Sequence, residues 1–437
     1  MKIPIQLIFI LCSTCSQAFE IGFYNPEGVD HRFKSTIDFV MMEVLSEDQV
    51  LNAMSDAQDM DLSLTLNLGP SLTRSVNVES LNSVYVDSTG HEQHKLFSPK
   101  YPHKIKKFVT DSEVHVVLDH LILALQKFPD VIDTIFIIDE PYLKGVSRAE
   151  VNRVASLVKG RLEDHGLTAI KVGAVFASLM YESDYARELD RQAVEYVRKA
   201  DTKRAEIEKL SWFSRFLRSV TSKDDWIDRF REHRLITYDQ AGNIYTGGGI
   251  PENLDVVGFD FYVATLLFDD LYVNSLLWIE ERYDLPACSP FKGRRMPAVR
   301  DHLSFIGTDE IIFNDIETDD ELLDTIFDCR IGAVSKALKE HLTKTEFEVV
   351  MIGESSSNGF LNFNGDRTIR DKQDWELVEL RVKKEVERHL DRGVVKEIPN
   401  LKRVAFFTFG NPTDHSIGQT IRGAQEMPHV FDAITSH

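Results

Sequence analysis

The sequence predicts an α/β protein of the (β/α)8 TIM-barrel class. Short apolar runs that end in polar residues recur along the chain, and segments with apolar residues at helical spacing lie between them. This alternation is typical of a parallel sheet whose strands are joined by helices. About eight such units, with no phosphate-binding glycine loop after the first strand, favour a closed barrel over a doubly wound open sheet.

The predicted strands are short runs of β-favouring residues, which indicate strands covered on both faces. Seven are clear, and a weaker one, Ser83–Asp87, is placed third in the barrel. The seven are Phe19–Tyr24, Asp61–Leu66, Ile135–Ile138, Ile170–Ala177, Asp255–Phe261, Phe347–Ile352 and Arg403–Phe409.

Six segments between these runs have the apolar periodicity of amphipathic helices. One of them carries a capping box, with Ser147 followed by Glu150. The six are Asp38–Ala57, Ser112–Lys127, Ser147–Asp164, Asp184–Lys209, Asp319–His341 and Asp374–Asp391. Two connections exceed a simple crossover, so we predict long insertions at about 200–250 and 263–346, in the βα loops after strands five and six.

The N-terminus has the pattern of a secretory signal peptide. Lys2 precedes the apolar run Ile3–Leu11, and Ser16 and Ala18 are small residues suited to cleavage after Ala18. We therefore expect residues 1–18 to be a signal peptide, residues 19–437 to form a single barrel domain, and the protein to be secreted or periplasmic. No later segment is long and apolar enough for an integral membrane segment. Of the remaining cysteines, Cys288 and Cys329 either pair or stay as free buried thiols.

Composition narrows the function classes. The net charge of −20 and pI of about 5.2 argue against nucleic acid or an anionic membrane as a partner. The histidine pair His91 and His94 has HxxH spacing in a polar loop, which is not a metal-protease motif. No Walker loop and no Gly-x-Ser-x-Gly elbow is present. We therefore expect neither a metal nor a cofactor.

Two glutamates stand at the carboxyl ends of predicted strands. Glu140 follows the run Ile135–Ile138, and Pro141 ends that strand because it has no N–H to donate; Glu354 follows Phe347–Ile352. Ligands of parallel α/β folds bind at this end. If Glu140 faces the barrel interior, the alternation of side chains turns Ile138 and Phe136 inward too. If Glu354 faces inward, Ile352 and Val350 do so as well.

Other polar residues follow the predicted strands in the same way. Asp260 is the one charge inside its strand pattern, so we expect it to share the inward face with Tyr262. Each of these residues is alternatively a hydrogen-bonded loop start, but their convergence on one rim favours a binding site. The predicted substrate-binding residues are Asp139, Tyr262, Asn25, Asn67, Asp260, Asn411 and Tyr142.

With Ser83–Asp87 counted as the third strand, Glu140 ends the fourth and Glu354 the seventh. This layout, over residues 19–411, resembles the clan of retaining glycoside hydrolases built on (β/α)8 barrels. That clan places an acid/base glutamate after strand four, in an Asn-Glu-Pro context, and a nucleophilic glutamate after strand seven. The resemblance implies that Glu140 is the general acid/base, that Glu354 is the nucleophile and that Tyr262 hydrogen-bonds the nucleophile.

Asp139 departs from the clan's pattern, which has asparagine at this position. An ionised aspartate cannot donate a hydrogen bond to a sugar 2-hydroxyl, and its charge would raise the pKa of Glu140.

The expected function is a retaining glycoside hydrolase that cleaves a poly- or oligosaccharide, with the two carboxyl groups about 5–5.5 Å apart. The alternative is a catalytically silent barrel that binds a polysaccharide or a protein partner. A third possibility is a barrel enzyme of another reaction type that uses Asp260 or His415.

Overall fold

The computed structural model contains a closed barrel of eight parallel strands. The described residues are 19–78, 81–86, 92–97, 103–142, 144, 146–177, 249–262, 284–291, 316–357, 372–414 and 419–437, with a few positions between 202 and 214. The barrel strands are β1 (Glu20–Tyr24), β2 (Phe39–Glu43), β3 (Ser63–Asn67), β8 (Ile132–Asp139), β9 (Lys171–Ala177), β10 (Val256–Asp260), β11 (Glu348–Glu354) and β12 (Leu401–Phe407). They follow one another around the barrel in chain order, and β12 closes it by pairing with β1.

The remaining strands form small antiparallel sheets outside the barrel. β4 (Thr73–Val78) pairs with β7 (His103–Phe108), β5 (Leu81–Val86) pairs with β6 (Glu92–Phe97), and β13 (Thr413–Asp414) pairs with β14 (Gln419–Thr420). The helices are α1 (Glu47–Met60), α2 (Gly69–Leu72), α3 (Asp111–Lys127), α4 (Arg148–Asp164), α5 (Ile316–Leu342), α6 (Lys372–Asp391), α7 (Gly393–Lys396) and α8 (Pro428–Thr435).

The predicted barrel class is confirmed, but one predicted strand is wrong. Ser83–Asp87 overlaps β5, which pairs with β6 in an antiparallel hairpin between β3 and α3. The missing barrel strand is β2, which the sequence analysis assigned to the helix Asp38–Ala57. Its residues Phe39–Met42 are fully buried, whereas the helix begins only after Ser46, whose hydroxyl accepts a hydrogen bond from the backbone N–H of Gln49. The two errors cancel, so Glu140 still follows the fourth barrel strand and Glu354 still ends the seventh.

Apolar side chains fill the middle of the barrel. Phe39, Met41, Phe136, Val350 and Ile352 belong to this inner cluster and are almost fully buried. The inward direction predicted for Phe136, Val350 and Ile352 is therefore confirmed. Ile138 instead packs in the outer core between strands and helices.

The outer helices begin at defined caps. Thr110 and Ser147 each form a capping box with the glutamate three residues later, Glu113 and Glu150. The Ser147 box is the one predicted from sequence.

Cys288 and Cys329 form a disulfide that ties residues 284–291 to α5. This settles the open choice between pairing and free thiols. The predicted insertions at 200–250 and 263–346 lie largely outside the described residues, as do the signal peptide 1–18 and most of the predicted helix Asp184–Lys209. Within the described part of the chain, no helix combines the length and apolar character that a bilayer crossing requires.

Candidate active site

The carboxyl ends of the barrel strands carry a cluster of acidic side chains. Asp139, Asp260 and Glu354 are the last residues of β8, β10 and β11, and Glu140 follows Asp139 directly. In a parallel barrel these ends surround one opening, where ligands bind. We call this cluster and the opening that it lines the mouth.

A β-bulge near the end of β8 directs Asp139 into the barrel. Phe136 lies opposite Gly173 of β9, but Asp139 lies opposite Val175, so three steps along β8 match two along β9. This extra residue reverses the alternation of side chains. As a result Asp139 shares the inner face with Val175, and Ile138 does not.

Glu140 adopts a left-handed backbone conformation with φ of 49°. A non-glycine residue here costs about 1 kcal/mol or more, and such strain concentrates at functional sites. The Glu140 N–H donates to the Val175 carbonyl at 2.8 Å, which holds the turn against β9. The turn continues through Pro141 to Lys144, whose N–H donates to the Glu140 carbonyl at 3.0 Å.

Lys144 forms ion pairs with both carboxylates of the turn. Its Nζ lies 3.0 Å from Asp139 Oδ2 and 3.2 Å from Glu140 Oε2. Burial lowers the pKa of Lys144, but the charges and hydrogen bonds of Asp139 and Glu140 outweigh it and raise the pKa above its ordinary value, so the lysine is cationic. Sequence analysis missed this residue. The sequence feature that could have identified it is a lysine four residues after Glu140, with Pro141 between them. Proline favours a turn, which returns the lysine side chain to the two acids.

Asp260 hydrogen-bonds the side chain of Glu140 and is almost fully buried. Burial raises the pKa of Asp260 well above its usual range, and the charges of Glu140 and Asp139 raise it further. Because an ionised carboxylate only accepts hydrogen bonds, one of these two carboxyl groups carries a proton, and burial favours Asp260 as its holder. Burial likewise raises the pKa of Asp139, with Lys144 opposing and Glu140 adding to the shift.

Glu354 is fully buried on the other side of the mouth. Its Oε1 accepts hydrogen bonds from the backbone N–H of Ser356, at 3.2 Å, and from the Ser356 hydroxyl. Its Oε2 has no hydrogen-bond partner among the described residues. Burial raises the pKa of Glu354 to about 8; Ser356 opposes this shift and the charge of Glu385 adds to it. Glu354 is therefore protonated at neutral pH.

Two tyrosines and a phenylalanine lie among these acids. Tyr262 follows β10; burial raises its pKa well above the usual range, and Asp260, Glu354, Asp139 and Glu140 raise it further, in that order. Tyr262 thus feels carboxyl groups from both sides of the mouth. The ring of Phe407 lies 6.5 Å from that of Tyr262 and 5.5 Å from that of Tyr24, so the three rings form an aromatic floor.

Asn25 and Asn67 lie at the ends of β1 and β3, and Asn411 lies in the segment after β12. All three form hydrogen bonds to neighbouring segments. Asn25 donates to the Gly28 carbonyl at 2.6 Å and accepts from the Gly410 N–H at 3.1 Å. Asn67 donates to the Tyr24 hydroxyl at 2.8 Å and accepts from the Gly69 N–H at 2.9 Å. Asn411 donates to Glu426 and accepts from the Gly423 N–H. Contact of these residues with a substrate remains a prediction.

Tyr142 is buried away from solvent and donates its hydroxyl hydrogen to the Gly249 carbonyl. Its ring packs on Phe176 at 5.2 Å between centroids. The side chain therefore joins the turn after β8 to the segment before β10, and its predicted contact with substrate is untested. His415 lies outside the described residues. Those residues contain no group of three histidine, cysteine or acidic side chains arranged to hold a metal ion.

Neither a protein-family model nor a curated protein sequence matches the chain. Solved structures that resemble it include a β-glucuronidase from an uncultured Clostridium species, with a TM-score of 0.42 and 10% identity, over 96% of this chain and 50% of that one. The chain therefore spans about half the length of that protein.

A β-glucosidase from Exiguobacterium marinum has a TM-score of 0.38 and 10% identity, over 96% and 98% of the two chains. The GH53 catalytic domain from Ignisphaera aggregans has a TM-score of 0.36 and 9% identity, over 96% and 91%. Likenesses this distant carry no argument about activity, so function rests on the geometry of the mouth.

Proposed function

We propose that the protein is a glycoside hydrolase that cleaves a poly- or oligosaccharide by double displacement, with retention of configuration. The observation that carries the proposal is the placement of Glu140 and Glu354 at the carboxyl ends of the fourth and seventh barrel strands. Two strands, β9 and β10, separate β8 from β11 around the mouth. Two carboxyl groups that flank a glycosidic bond are what this reaction needs.

Each glutamate has one role in the reaction. Ionised Glu354 attacks the anomeric carbon and forms a glycosyl ester, while Glu140 gives its proton to the departing oxygen. Glu140 then takes a proton from water, whose oxygen attacks the anomeric carbon and releases Glu354 as a carboxylate. The aromatic floor of Tyr24, Phe407 and Tyr262 offers apolar ring surface to a sugar at the same opening.

The buried nucleophile favours an alkaline working range. Glu354 has to lose its proton before it attacks, and its pKa of about 8 means that the ionised fraction grows as pH rises through that value. Glu354 Oε2 has no hydrogen-bond partner among the described residues. A substrate hydroxyl that donates to it would favour ionised Glu354, so the rise of activity with pH would occur at lower pH.

A second candidate function is a catalytically silent barrel that binds carbohydrate or a protein partner. The contacts of Lys144 favour it, because this cation occupies the carboxylates of Asp139 and Glu140. In a hydrolase Glu140 exchanges a proton with the substrate beside this cation, whereas in a binding protein the ion pair is only a structural part of the wall.

Secretion is part of the proposal. Two features support it: the Lys2, Ile3–Leu11 and Ser16–Ala18 pattern of a signal peptide, and the disulfide between Cys288 and Cys329, since disulfides persist in oxidising compartments.

Substitution of each glutamate tests the reaction on a panel of aryl glycosides and polysaccharides. Glu354→Gln should abolish turnover on every substrate that the native protein cleaves. Glu140→Ala should lose ~10²–10⁴-fold on poor leaving groups, because acid catalysis contributes about that much. It should keep its first step on dinitrophenyl glycosides, and azide should speed the second step and yield a glycosyl azide of retained configuration.

Glu252→Gln is the matched control, because this glutamate is exposed and lies outside the mouth. Its turnover should equal that of the native protein. Native turnover in both mouth variants would refute the assignment. A native protein that binds a polysaccharide without cleaving any member of the panel, with binding kept in both variants, would establish the binding function instead.

A further inference from the structure

We propose that Asp260 positions a proton for Glu140: the two carboxyl groups share a single proton, and Asp260 stores the proton that Glu140 delivers. This inference rests on the proposed glycosidase function for its chemical role. The proton-sharing pair itself is a property of the folded protein that is measurable without substrate.

Asp260 ends β10 at the mouth and hydrogen-bonds the side chain of Glu140. Two carboxylates cannot hydrogen-bond each other unless one of them carries a proton, because an ionised carboxylate only accepts. Asp260 is buried, whereas Glu140 is only partly buried. Burial disfavours the charged form, so the proton rests on Asp260 and the negative charge on Glu140.

Lys144 reinforces this arrangement from the other side. Its Nζ contacts Glu140 at 3.2 Å and Asp139 at 3.0 Å, so the lysine stabilises negative charge on the turn after β8. Lys144 acts on Asp260 only as a more distant charge. It lowers the pKa of Asp260 less than burial raises it. The cation thus contacts Glu140 directly and favours negative charge on that side of the pair.

The strands beside Asp260 add no compensating charge among the described residues. Its cross-strand partners are Ala177 on β9 and Ile352 on β11, which are apolar. The groups that act on Asp260 are Glu140, Asp139 and Lys144. Tyr262, two residues on, interacts electrostatically with Asp260, Glu140 and Glu354.

The proton balance of the reaction follows. In the first step the single proton moves from Asp260 to Glu140 and from Glu140 to the departing glycosidic oxygen. The pair is then doubly ionised, and Lys144 stabilises it. In the second step Glu140 takes a proton from the attacking water, and the proton returns to Asp260. One proton enters and leaves the pair in each cycle, and no further reactant is required.

Infrared difference spectroscopy of the full chain with ¹³C-labelled aspartate tests the pair without substrate. At neutral pH we expect a protonated carboxyl band that shifts with the aspartate label and is lost in Asp260→Asn. Asp255→Asn is the matched control, since Asp255 stands at the opposite end of the same strand and pairs with Lys159 at 2.6 Å. This control should keep the band.

Kinetics supply the second readout. The amide of Asp260→Asn still donates to Glu140 but stores no proton, so the alkaline limb of the pH–rate profile should move to lower pH. A labelled band that survives in Asp260→Asn, or that disappears in Asp139→Asn instead, overturns the pair. An unmoved alkaline limb in an active Asp260→Asn overturns its role as the proton store. Loss of the band in a protein that cleaves no glycoside keeps the pair and refutes the glycosidase proposal.

Discussion

At the scale of single residues, the burial of Glu354 favours reactivity but opposes stability of the folded protein. It is fully buried, and one of its carboxylate oxygens has no hydrogen-bond partner among the described residues. A proposed nucleophile gains reactivity from such poor solvation, but the folded protein becomes less stable when the group ionises. The raised pKa of Glu354, about 8, expresses this conflict.

The conflict predicts a pH-dependent gain of stability in Glu354→Gln. The folded-state pKa of about 8 exceeds the ordinary value of 4.5, so native protein holds a proton that the unfolded chain has released. Native stability therefore falls as pH rises from about 4.5 to 8 and stays reduced above 8. Between pH 5 and pH 9 the variant should gain up to about 4 kcal/mol relative to native protein, in urea unfolding.

Glu348→Gln is the control for this prediction. Glu348 begins the same strand and forms an ion pair with Lys171 at 2.7 Å, so its substitution removes a partly exposed charge at the opposite end of the barrel. It should give no gain between pH 5 and pH 9. A stability difference for Glu354→Gln that is the same at both pH values would contradict the burial of an ionisable nucleophile.

At the scale of elements, β11 and α6 approach so closely that only glycine fits between them. A Cβ on Gly353 would lie 2.7 Å from Cδ2 and 2.9 Å from Cγ of His389. The His389 ring lies 2.8 Å from the Glu385 carbonyl and 3.2 Å from the Phe261 carbonyl. The helix therefore fixes the backbone next to both Glu354 and Tyr262.

Gly353→Ala should destabilise the protein by about 1–3 kcal/mol, because the buried ring cannot move without breaking its contacts. Gly160→Ala is the matched control, since its Cβ meets nothing within 4 Å on helix α4 and alanine favours a helix by about 0.5–1 kcal/mol. Urea unfolding of the two variants should give shifts of opposite sign. Equal stability of Gly353→Ala and native protein would show that the ring yields freely.

The sequence predicted the barrel because most of its strands are runs of buried apolar residues. Such runs can be recognised in the sequence before the neighbouring strands are known. The segments that form β8 and β11 were located for the same reason, whereas their numbers, fourth and seventh, are right because two errors cancel. The strand β2 was missed because Phe39–Met42 is followed closely by a charged helix, and the boundary at Ser46 is a single capping residue. The bulge before Asp139 depends on pairing with β9, and the hydrogen bond between Asp260 and Glu140 depends on tertiary contact. No local sequence pattern predicts the bulge or this hydrogen bond.

At the scale of the whole molecule, the two ends of the barrel differ in how their acidic side chains are paired with cations. At the amino-terminal end Arg403 lies buried inside the barrel, with ion pairs to Glu20 and Asp133 and hydrogen bonds to the hydroxyls of Thr65 and Ser63. Both of these acidic side chains therefore have a cationic partner. At the mouth the four described carboxyl groups outnumber the one described lysine, Lys144, so acidic groups exceed cations where the proposed chemistry occurs.

The last prediction concerns maturation of the whole chain. The signal-peptide pattern and the disulfide together predict an exported protein that begins at Phe19 and contains no free thiol, because both remaining cysteines are paired. Intact-mass analysis after export should find residues 1–18 removed. It should find no alkylation unless the protein is first reduced, when two adducts should form.

In Cys288→Ser one cysteine should alkylate without reduction. The disulfide closes a loop with a sequence separation of 41 residues, so this variant should also lose up to about 4 kcal/mol of stability. An exported chain that retains Met1, or native protein that alkylates twice without reduction, would refute the proposal of a secreted, oxidised enzyme.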